Sequence, residues 1–472
     1  MLHFDTSEFP KPISDRVYLV GGSVRDLLLK REPTDYDIAV KGDARAYANR
    51  FSRTAKGHLV VLGQPGQLIY RVVTSNRTYD VSAVDGRCIG QDLKRRDFCM
   101  NAMAWQPATE QLIDPLSGMR DLRDRQIRMV SRAVFEKDPV RLIRAYRLAA
   151  ELQFSINADT SAAIAEFSRL IGASPGERIW SELSRLLNSD SAHYHLTQMA
   201  ASRLLESFIP EFEALKGCDQ GAHHQLNAFD HTLAALKYLE ASLNRDQDRP
   251  NGLSPQGFGL AKADRDGWGP LKLAVLLHDI AKPVTRQIGN NGKIHFYGHA
   301  TLGARMALRI CDRLRTSHRT SEYIAFVIQH HIHPLALYTA GRQQALGRRA
   351  LTRFFMKCRD KTPDILLHAW ADMQAKGKAD PKGEQDFRHF LAGLAKAYRT
   401  FERSMLNEPM LIDGNDLIGR LGLKPGPLFG RILKAVHTAQ LAGELKTRSA
   451  ALNWVAGWLA ERGMQPHRDE DR

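Results

Sequence analysis

Paired cysteines are missing from this chain. Its five cysteines, Cys88, Cys99, Cys218, Cys311 and Cys358, are scattered over 472 residues without the spacing of a disulfide framework, which points to a reducing compartment. Long hydrophobic runs are missing too: no apolar stretch reaches membrane-spanning length, and Met1-Leu2-His3-Phe4-Asp5 does not read as a secretory signal. A cytoplasmic protein with no membrane association is expected. Acidic residues are in deficit, 52 against 67 lysines and arginines, for a net charge of +15. That balance suggests a polyanionic partner; nucleic acid is favoured over a membrane surface because no basic amphipathic anchor stands out. Hydrophobic content of 43% and charged content of 25% are ordinary for a globular protein, and the length allows three domains or more.

What is present is concentrated at the N-terminus. Leu19-Val20-Gly21-Gly22-Ser23-Val24-Arg25-Asp26 predicts an apolar strand and a glycine turn opening a helix, and Asp35-Tyr36-Asp37 follows on a second strand. Strand side chains alternate, so Asp35 and Asp37 share a face, where two carboxylates form a clamp for a hard divalent cation. Gly21 and Gly22 allow backbone amides to approach a phosphate. A phosphate cradle beside a metal clamp is machinery for attack on a nucleoside triphosphate. Asp80, within Thr78-Tyr79-Asp80-Val81 on a later strand, is placed to complete the metal site.

Further strands are predicted at 17–20, 36–40, 59–62, 69–73 and 79–81, with helices over 43–54 and 91–105, an α/β head. From about residue 131 the pattern turns helical and stays so. Residues 244–270 read as an exposed loop or hinge, and the tail 465–472 as a polar, unstructured end.

Within the head, Leu93-Lys94-Arg95-Arg96-Asp97-Phe98-Cys99-Met100-Asn101 gathers three cations, an acid and an amide. Arginine forks can hold triphosphate oxygens, and Asp97 can orient them. Then Asp138-Pro139-Val140-Arg141-Leu142-Ile143-Arg144 brings an acceptor and donors that either read a nucleobase edge or form an intrahelical ion pair.

With these motifs in order, the chain resembles the class II tRNA nucleotidyltransferase and bacterial poly(A) polymerase family. The Gly-Gly-x-Val-Arg-Asp, Asp-x-Asp, Arg-Arg-Asp-Phe and Asp-Pro-x-x-Arg elements carry the likeness over roughly residues 17–180, with Gly176-Glu177-Arg178-Ile179-Trp180 as its last motif. The resemblance implies an α+β fold: a polymerase β-like head with a mixed sheet at 1–130 and a helical neck at 131–217. Beyond these it implies a metal-binding helical domain at 218–380 and a C-terminal helical RNA-binding region at 381–472. It further implies that Gly22 and Arg25 contact the incoming nucleotide and that Asp35 and Asp37 bind Mg2+. Arg96, Arg141 and Arg144 would hold the nucleotide, in a set that includes Asp97 and Asn101. Asp138 with Arg141 would select cytosine or adenine. The implied reaction is template-independent addition of all or part of CCA to the tRNA acceptor end from CTP and ATP. The alternatives are poly(A) addition, or a metal phosphohydrolase with an inactive head.

Two departures from the family pattern stand out. Lys137 occupies the place of a glutamate before Asp138, with Glu136 one residue earlier. The stretch between Asp80 and Arg95 is also short, which resembles partial enzymes that add only CC or only A.

A second constellation lies in the helical middle: His231, His278-Asp279, His299, His330-His331 and Asp372. Adjacent imidazole and carboxylate groups on apolar helices suit a divalent transition metal. The order resembles the HD phosphohydrolase superfamily, which implies His231, His278, Asp279 and Asp372 as ligands of one ion and His299, His330 and His331 as holders of a second. Farther on, Asp413-Gly414-Asn415-Asp416 and the glycine-rich turn at 422–427 open helices that could hold RNA phosphate.

Overall fold

The computed structural model describes residues 4–63, 68–221, 225–245, 249–253, 267–377 and 380–462. Much of the 244–270 segment and the whole 465–472 tail lie outside the described residues. The chain divides into two compact units, Met1–Pro210 and Glu211–Arg472.

In the first unit, strands β1 (Val17–Val20), β2 (Tyr36–Val40), β3 (His58–Leu62), β4 (Ile69–Val73), β5 (Thr78–Ala83), β6 (Ala104–Gln106) and β7 (Gln111–Ile113) form one sheet. Its order is β3-β4-β5-β2-β1-β6-β7. Only β2 and β5 run parallel within it, pairing Asp37 with Asp80, so the sheet is mixed as expected. Strand alternation then sorts the residues. Tyr36, Ile38, Tyr79 and Val81 are buried on the face that packs on α2 (Ala44–Thr54), where Phe51 meets Phe9 and Tyr79 edge to face at 5.3 and 4.8 Å. The opposite face carries Asp37 and Asp80. Beside them Tyr18, Val20, Ala39 and Ala104 cluster with Ile89 and Leu93 of α3 (Ile89–Leu93).

The expected helix over 91–105 is not formed. α3 stops at Leu93, a short 3-10 turn follows at Cys99–Asn101, and 104–106 joins β1 as β6, with Leu19 opposite Trp105. The cause is local and then tertiary. The buried Asp97 carboxylate accepts the Phe98 N–H, a local bond that occupies a donor a continuing helix would use. Strand pairing then wins over the helical pattern of the segment.

The neck begins with a break. The Ala133–Lys137 helix ends at Asp138, and Pro139 opens the helix Val140–Leu152, where its missing N–H costs nothing. That helix packs on Gly176–Leu187. Short strand pairs at Gln126–Ile127 with Ser155–Ile156, and Gln287–Ile288 with Ile294–His295, interrupt the otherwise helical remainder.

In the second unit the helices Ala228–Asn244, Gly269–Leu277 and Thr362–Gln374 pack together, beside His299–Arg313 and His318–His330. Toward the C-terminus Ile412, Leu417, Ile432, Val436, Val455 and Leu459 form a separate small core. Among the described residues, no helix is long and apolar enough to cross a membrane.

Candidate functional site

The sheet places the head's carboxylates by register. Asp37 on β2 lies next to Asp80 on β5, and Asp35, just before β2, is exposed. Ser23, the second residue of helix α1 (Gly22–Leu28), fixes Asp37. Its buried hydroxyl donates to the Val20 carbonyl at 3.0 Å and accepts the Asp37 N–H at 2.9 Å. Burial pushes the Asp37 carboxyl up to about 6; Arg96 opposes this, while Asp80, Asp35 and Asp97 add repulsion. A half-buried carboxyl crowded by three others is a group that gains from a divalent cation, so the donor set fits one.

Gly21 closes one side of this site. Its φ is +74°, and a Cβ there would sit 2.7 Å from Arg96 Nη1 and 3.0 Å from Asp37 Oδ2. Its own N–H donates to the Met103 carbonyl at 3.3 Å, so the residue contributes space rather than a free amide. Arg96 is steadied by Asp92, with contacts of 3.1 and 3.2 Å, which leaves Nη1 directed at Gly21.

From here a polar relay runs into the neck. Arg25 grips Asp26 with two 2.8 Å bonds and donates to Asn101 Oδ1 at 2.8 Å. Asn101 donates to Asp97 at 3.0 Å, and Asp97 meets Arg144 at 3.2 Å. Arg144 and Arg147 both donate to buried Glu182. Burial opposes ionisation of Asp97, but Arg144, Asn101 and the Phe98 N–H together hold its carboxyl below the usual range. Arg144 therefore spends Nε and Nη1 on bracing. Charge-assisted bonds of this kind fix side chains rather than leave them free for a ligand.

Asp138 and Arg141 behave differently. Their closest ion-pair contact is 3.6 Å, while Arg178 holds Asp138 Oδ2 at 2.8 Å and Arg141 Nη1 donates to the Arg95 carbonyl at 3.1 Å. Among the described residues, that leaves Asp138 Oδ1 and Arg141 Nε buried without hydrogen-bond partners. An acceptor and a donor held rigidly and left unmet are what a base edge would satisfy. Lys137 and Glu136 are both exposed, so the nearest charge on Asp138 is Arg178 rather than either of them.

In the second unit, His231, His278, Asp279, His299, His331 and Asp372 come together. His231 Nε2 is 2.8 Å from Asp372, and His278 Nε2 is 3.1 Å from Asp279 and 3.5 Å from Asp372. His299 Nε2 faces His331 Nε2 at 3.3 Å and Asp279 at 3.8 Å. In each of the four histidines Nδ1 lies against a backbone carbonyl, those of Ala375, Val275, Phe296 and Ile328, which turns Nε2 toward the cluster. That arrangement orients imidazoles for metal. Two subsets, His231-His278-Asp372 and His278-Asp279-His331, hold ligand atoms within 4.8 Å of one another. His278 Nε2 and Asp279 Oδ2 are buried without a hydrogen-bond partner of acceptable geometry, which a divalent ion would supply. Lys282 Nζ stands 2.7 Å from Asp279 Oδ2, at the edge of a cavity of about 300 Å³ lined also by Tyr297, His299 and Lys376. His330 is not brought into the cluster: its ring packs on Phe326 and His333 at 4.3 and 4.9 Å.

Sequence reasoning missed Ser23, Arg71, Glu182 and His368. Glu182 lies one helical turn after Arg178, and His368 one turn before Asp372, so helical spacing was an available signal. His368 is fully buried against the His278 and His331 rings at 4.9 and 5.2 Å. Ser23 and Arg71 had no such signal, because their partners come from strand register. At the C-terminus the helix Gly414–Gly419 is closed by a capping box of Asp413 and Asp416, and Asp416 also pairs with Arg448. That helix start is therefore met from within the chain rather than by phosphate.

Comparison with known proteins agrees with this geometry. Residues 17–128 match the Poly A polymerase head domain, and 153–216 the family described as Probable RNA and SrmB-binding site of polymerase A. Residues 229–367 match the HD domain and 385–456 the tRNA nucleotidyltransferase domain 2 family. The chain is 31% identical to a CC-adding tRNA nucleotidyltransferase of Thermus thermophilus, over 98% of each protein. It is 30% identical to an A-adding tRNA nucleotidyltransferase of Deinococcus radiodurans, over 95% of this chain and 97% of that protein. Its fold is similar to a Thermotoga maritima CCA-adding enzyme complexed with tRNA (TM-score 0.62, 21% identity, 94% of this chain and 91% of that one). A CCA-adding enzyme solved with ATP is also similar (TM-score 0.64, 21% identity, 94% and 90%).

Proposed function

The chain belongs to the tRNA nucleotidyltransferase family, and from that premise we propose that it extends the tRNA 3′ end by part of CCA, with Mg2+, from CTP or ATP. The observation that carries this reading is the unmet pair Asp138 Oδ1 and Arg141 Nε, a base-reading edge made of protein and braced by Arg178 and the Arg95 carbonyl. Selection by side chains alone removes the need for a nucleic-acid template.

Divalent metal bound at the carboxylates would polarise the α-phosphate and lower the barrier to attack by the 3′-hydroxyl. The chain's own residues do the positioning. Asp35 and Asp37 supply the charge. Gly21 keeps the space between Asp37 and Arg96 open, and Arg96 Nη1, directed at Gly21, would meet the departing pyrophosphate. The new bond joins the acceptor 3′-oxygen to the α-phosphorus as the bond to the bridging oxygen of pyrophosphate breaks.

Partial rather than complete addition is favoured by the connection after β5. Residues 84–88 are pinned at several points: Val84 N–H to the Val40 carbonyl, Asp85 N–H to Asp92, and Arg87 N–H to Gln91. A short segment bonded in this way is poorly suited to reset one pocket from C to A. The test offers tRNA ending at the discriminator base, at C or at CC, with CTP, ATP or both, and sequences the 3′ ends. Addition of only C residues, or of only A to the CC-ended tRNA, is expected. Complete CCA on the bare end refutes the single-specificity reading, and no addition to any tRNA refutes the function.

The second unit has its own reading. The four carbonyl-anchored histidines with Asp279 and Asp372 form an HD-type site for a divalent transition metal, suited to hydrolysis of a phosphoester. Release of phosphate from nucleotides or 2′,3′-cyclic ends that is lost in His278→Ala but kept in Asp35→Ala would support it.

A further inference from the structure

Across the sheet, strand order turns into an order of functional groups. β4, β5, β2 and β1 are neighbours in that sequence. Arg71 on β4 is in register with Asp80 on β5, and Asp80 is in register with Asp37 on β2. Gly21 follows β1, with Arg96 Nη1 against it. Along one face, the groups therefore run Arg71, Asp80, Asp37, then Gly21 with Arg96.

Asp80 was expected as a third metal carboxylate. Both of its oxygens accept from the Arg71 guanidinium, Nε to Oδ1 at 2.8 Å and Nη2 to Oδ2 at 2.7 Å. This fork-to-fork geometry fixes the orientation of the arginine, and among the described residues its remaining nitrogen makes no hydrogen bond. The Arg71 side chain is 38% exposed and that of Asp80 15%. A pair so close to solvent adds little to stability, and its worth lies in where it holds a positive charge.

In-line displacement supplies the direction. The attacking oxygen and the departing pyrophosphate lie on opposite sides of the α-phosphorus. On the proposed reading, with pyrophosphate on the Gly21 and Arg96 side of Asp37, in-line attack brings the acceptor end from the Asp80 and Arg71 side. The residue waiting there is a cation held by a bidentate carboxylate.

We infer that Arg71 binds the terminal phosphodiester of the incoming RNA 3′ end, with Asp80 as the residue that positions it. This inference rests on the nucleotidyltransferase reading of the head. It separates two duties on one sheet: the Gly21 side holds the nucleotide, and the β4 edge holds the acceptor. Asp80 then serves the acceptor by aiming Arg71, from its place beside Asp37 on the same face of the sheet.

The test compares wild type, Arg71→Ala, Arg71→Lys and Asp80→Asn as full-length proteins, using tRNA lacking CCA and the nucleotide that the wild type incorporates. Thermal unfolding establishes that each variant is folded. Arg71→Ala is expected to raise the KM for tRNA about tenfold or more, the loss of a charge-assisted contact, and to leave the KM for nucleotide unchanged. The dependence of log KM for tRNA on log salt should flatten by about 0.7, the signature of one lost single-strand phosphate contact. Arg71→Lys should restore the salt slope but not the full affinity, because an ammonium cannot form the fork. Asp80→Asn should follow Arg71→Ala in the KM for tRNA. A folded Arg71→Ala protein with unchanged KM and salt slope for tRNA overturns the inference. A raised KM for nucleotide in place of that for tRNA does the same. A wild type that transfers nothing to tRNA overturns the nucleotidyltransferase reading and this inference together.

Discussion

Replacing Asp37 by Asn should make the protein more stable while abolishing its activity. The Asp37 carboxyl is raised from an ordinary 3.8 to about 6 by burial, with Asp80, Asp35 and Asp97 contributing. Below about pH 4 the folded and unfolded chains both carry the proton, and the residue makes no difference. Between the two values the unfolded chain ionises while the folded one keeps its proton, so stability falls as pH rises through that window. Above about pH 6 the whole cost is present. A displacement of about two pH units corresponds to about 3 kcal/mol. Asparagine fills the same space without charge and escapes that cost. In urea unfolding with chelator at about pH 7.5, Asp37→Asn should exceed wild type by up to about 3 kcal/mol, and the gap should close on acidification toward about pH 4. Adding Mg2+ should stabilise the wild type and not the variant, because the cation meets the charge that burial penalises. A variant no more stable than wild type at neutral pH without metal, or a gap that ignores pH, would refute the assignment of Asp37 as a buried, crowded carboxylate.

Other outcomes follow from the same geometry. Gly21→Ala places a Cβ 2.7 Å from Arg96 Nη1 at a φ of +74° and should cost about 1–3 kcal/mol with at least a tenfold loss of transfer; Gly22→Ala, meeting only the Arg25 guanidinium at 3.5 Å, should melt like wild type. Glu182→Ala takes the shared carboxylate from half-buried Arg144 and buried Arg147, which keep Asp97 and Glu151, and should lower stability by about 1–3 kcal/mol, read by chemical unfolding. His278→Ala belongs to both ligand subsets and should empty the second unit of transition metal by elemental analysis, while tRNA extension by the head continues.

Short apolar runs were enough to find strands at 17–20, 36–40 and 69–73, because runs of this length rich in Val, Ile and Tyr suit a buried sheet. The glycine turn at Gly21 and the Asp35-Tyr36-Asp37 clamp were legible for the same local reason. So was the histidine cluster, since residues of that chemistry rarely recur on apolar helices without a shared ion. Local pattern failed at 91–105, where Asp97 turns its carboxylate onto the Phe98 N–H and the following segment is claimed by β1. It failed again at His330, whose neighbour His331 enters the cluster while one residue of helical rotation sends His330 to Phe326.

The sequence by itself determined which chemical groups are on offer: the Asp35 and Asp37 carboxylates, the arginine-rich turn, Asp138 with Arg141 and the imidazole set are all set by residue type and short-range spacing. Only the tertiary structure decided which of these groups meet. Strand register set Arg71 on Asp80 and Asp80 beside Asp37, and helix packing set Glu182 between Arg144 and Arg147. Such pairings join residues far apart in the chain, and their energies depend on distance and burial, which no local pattern records.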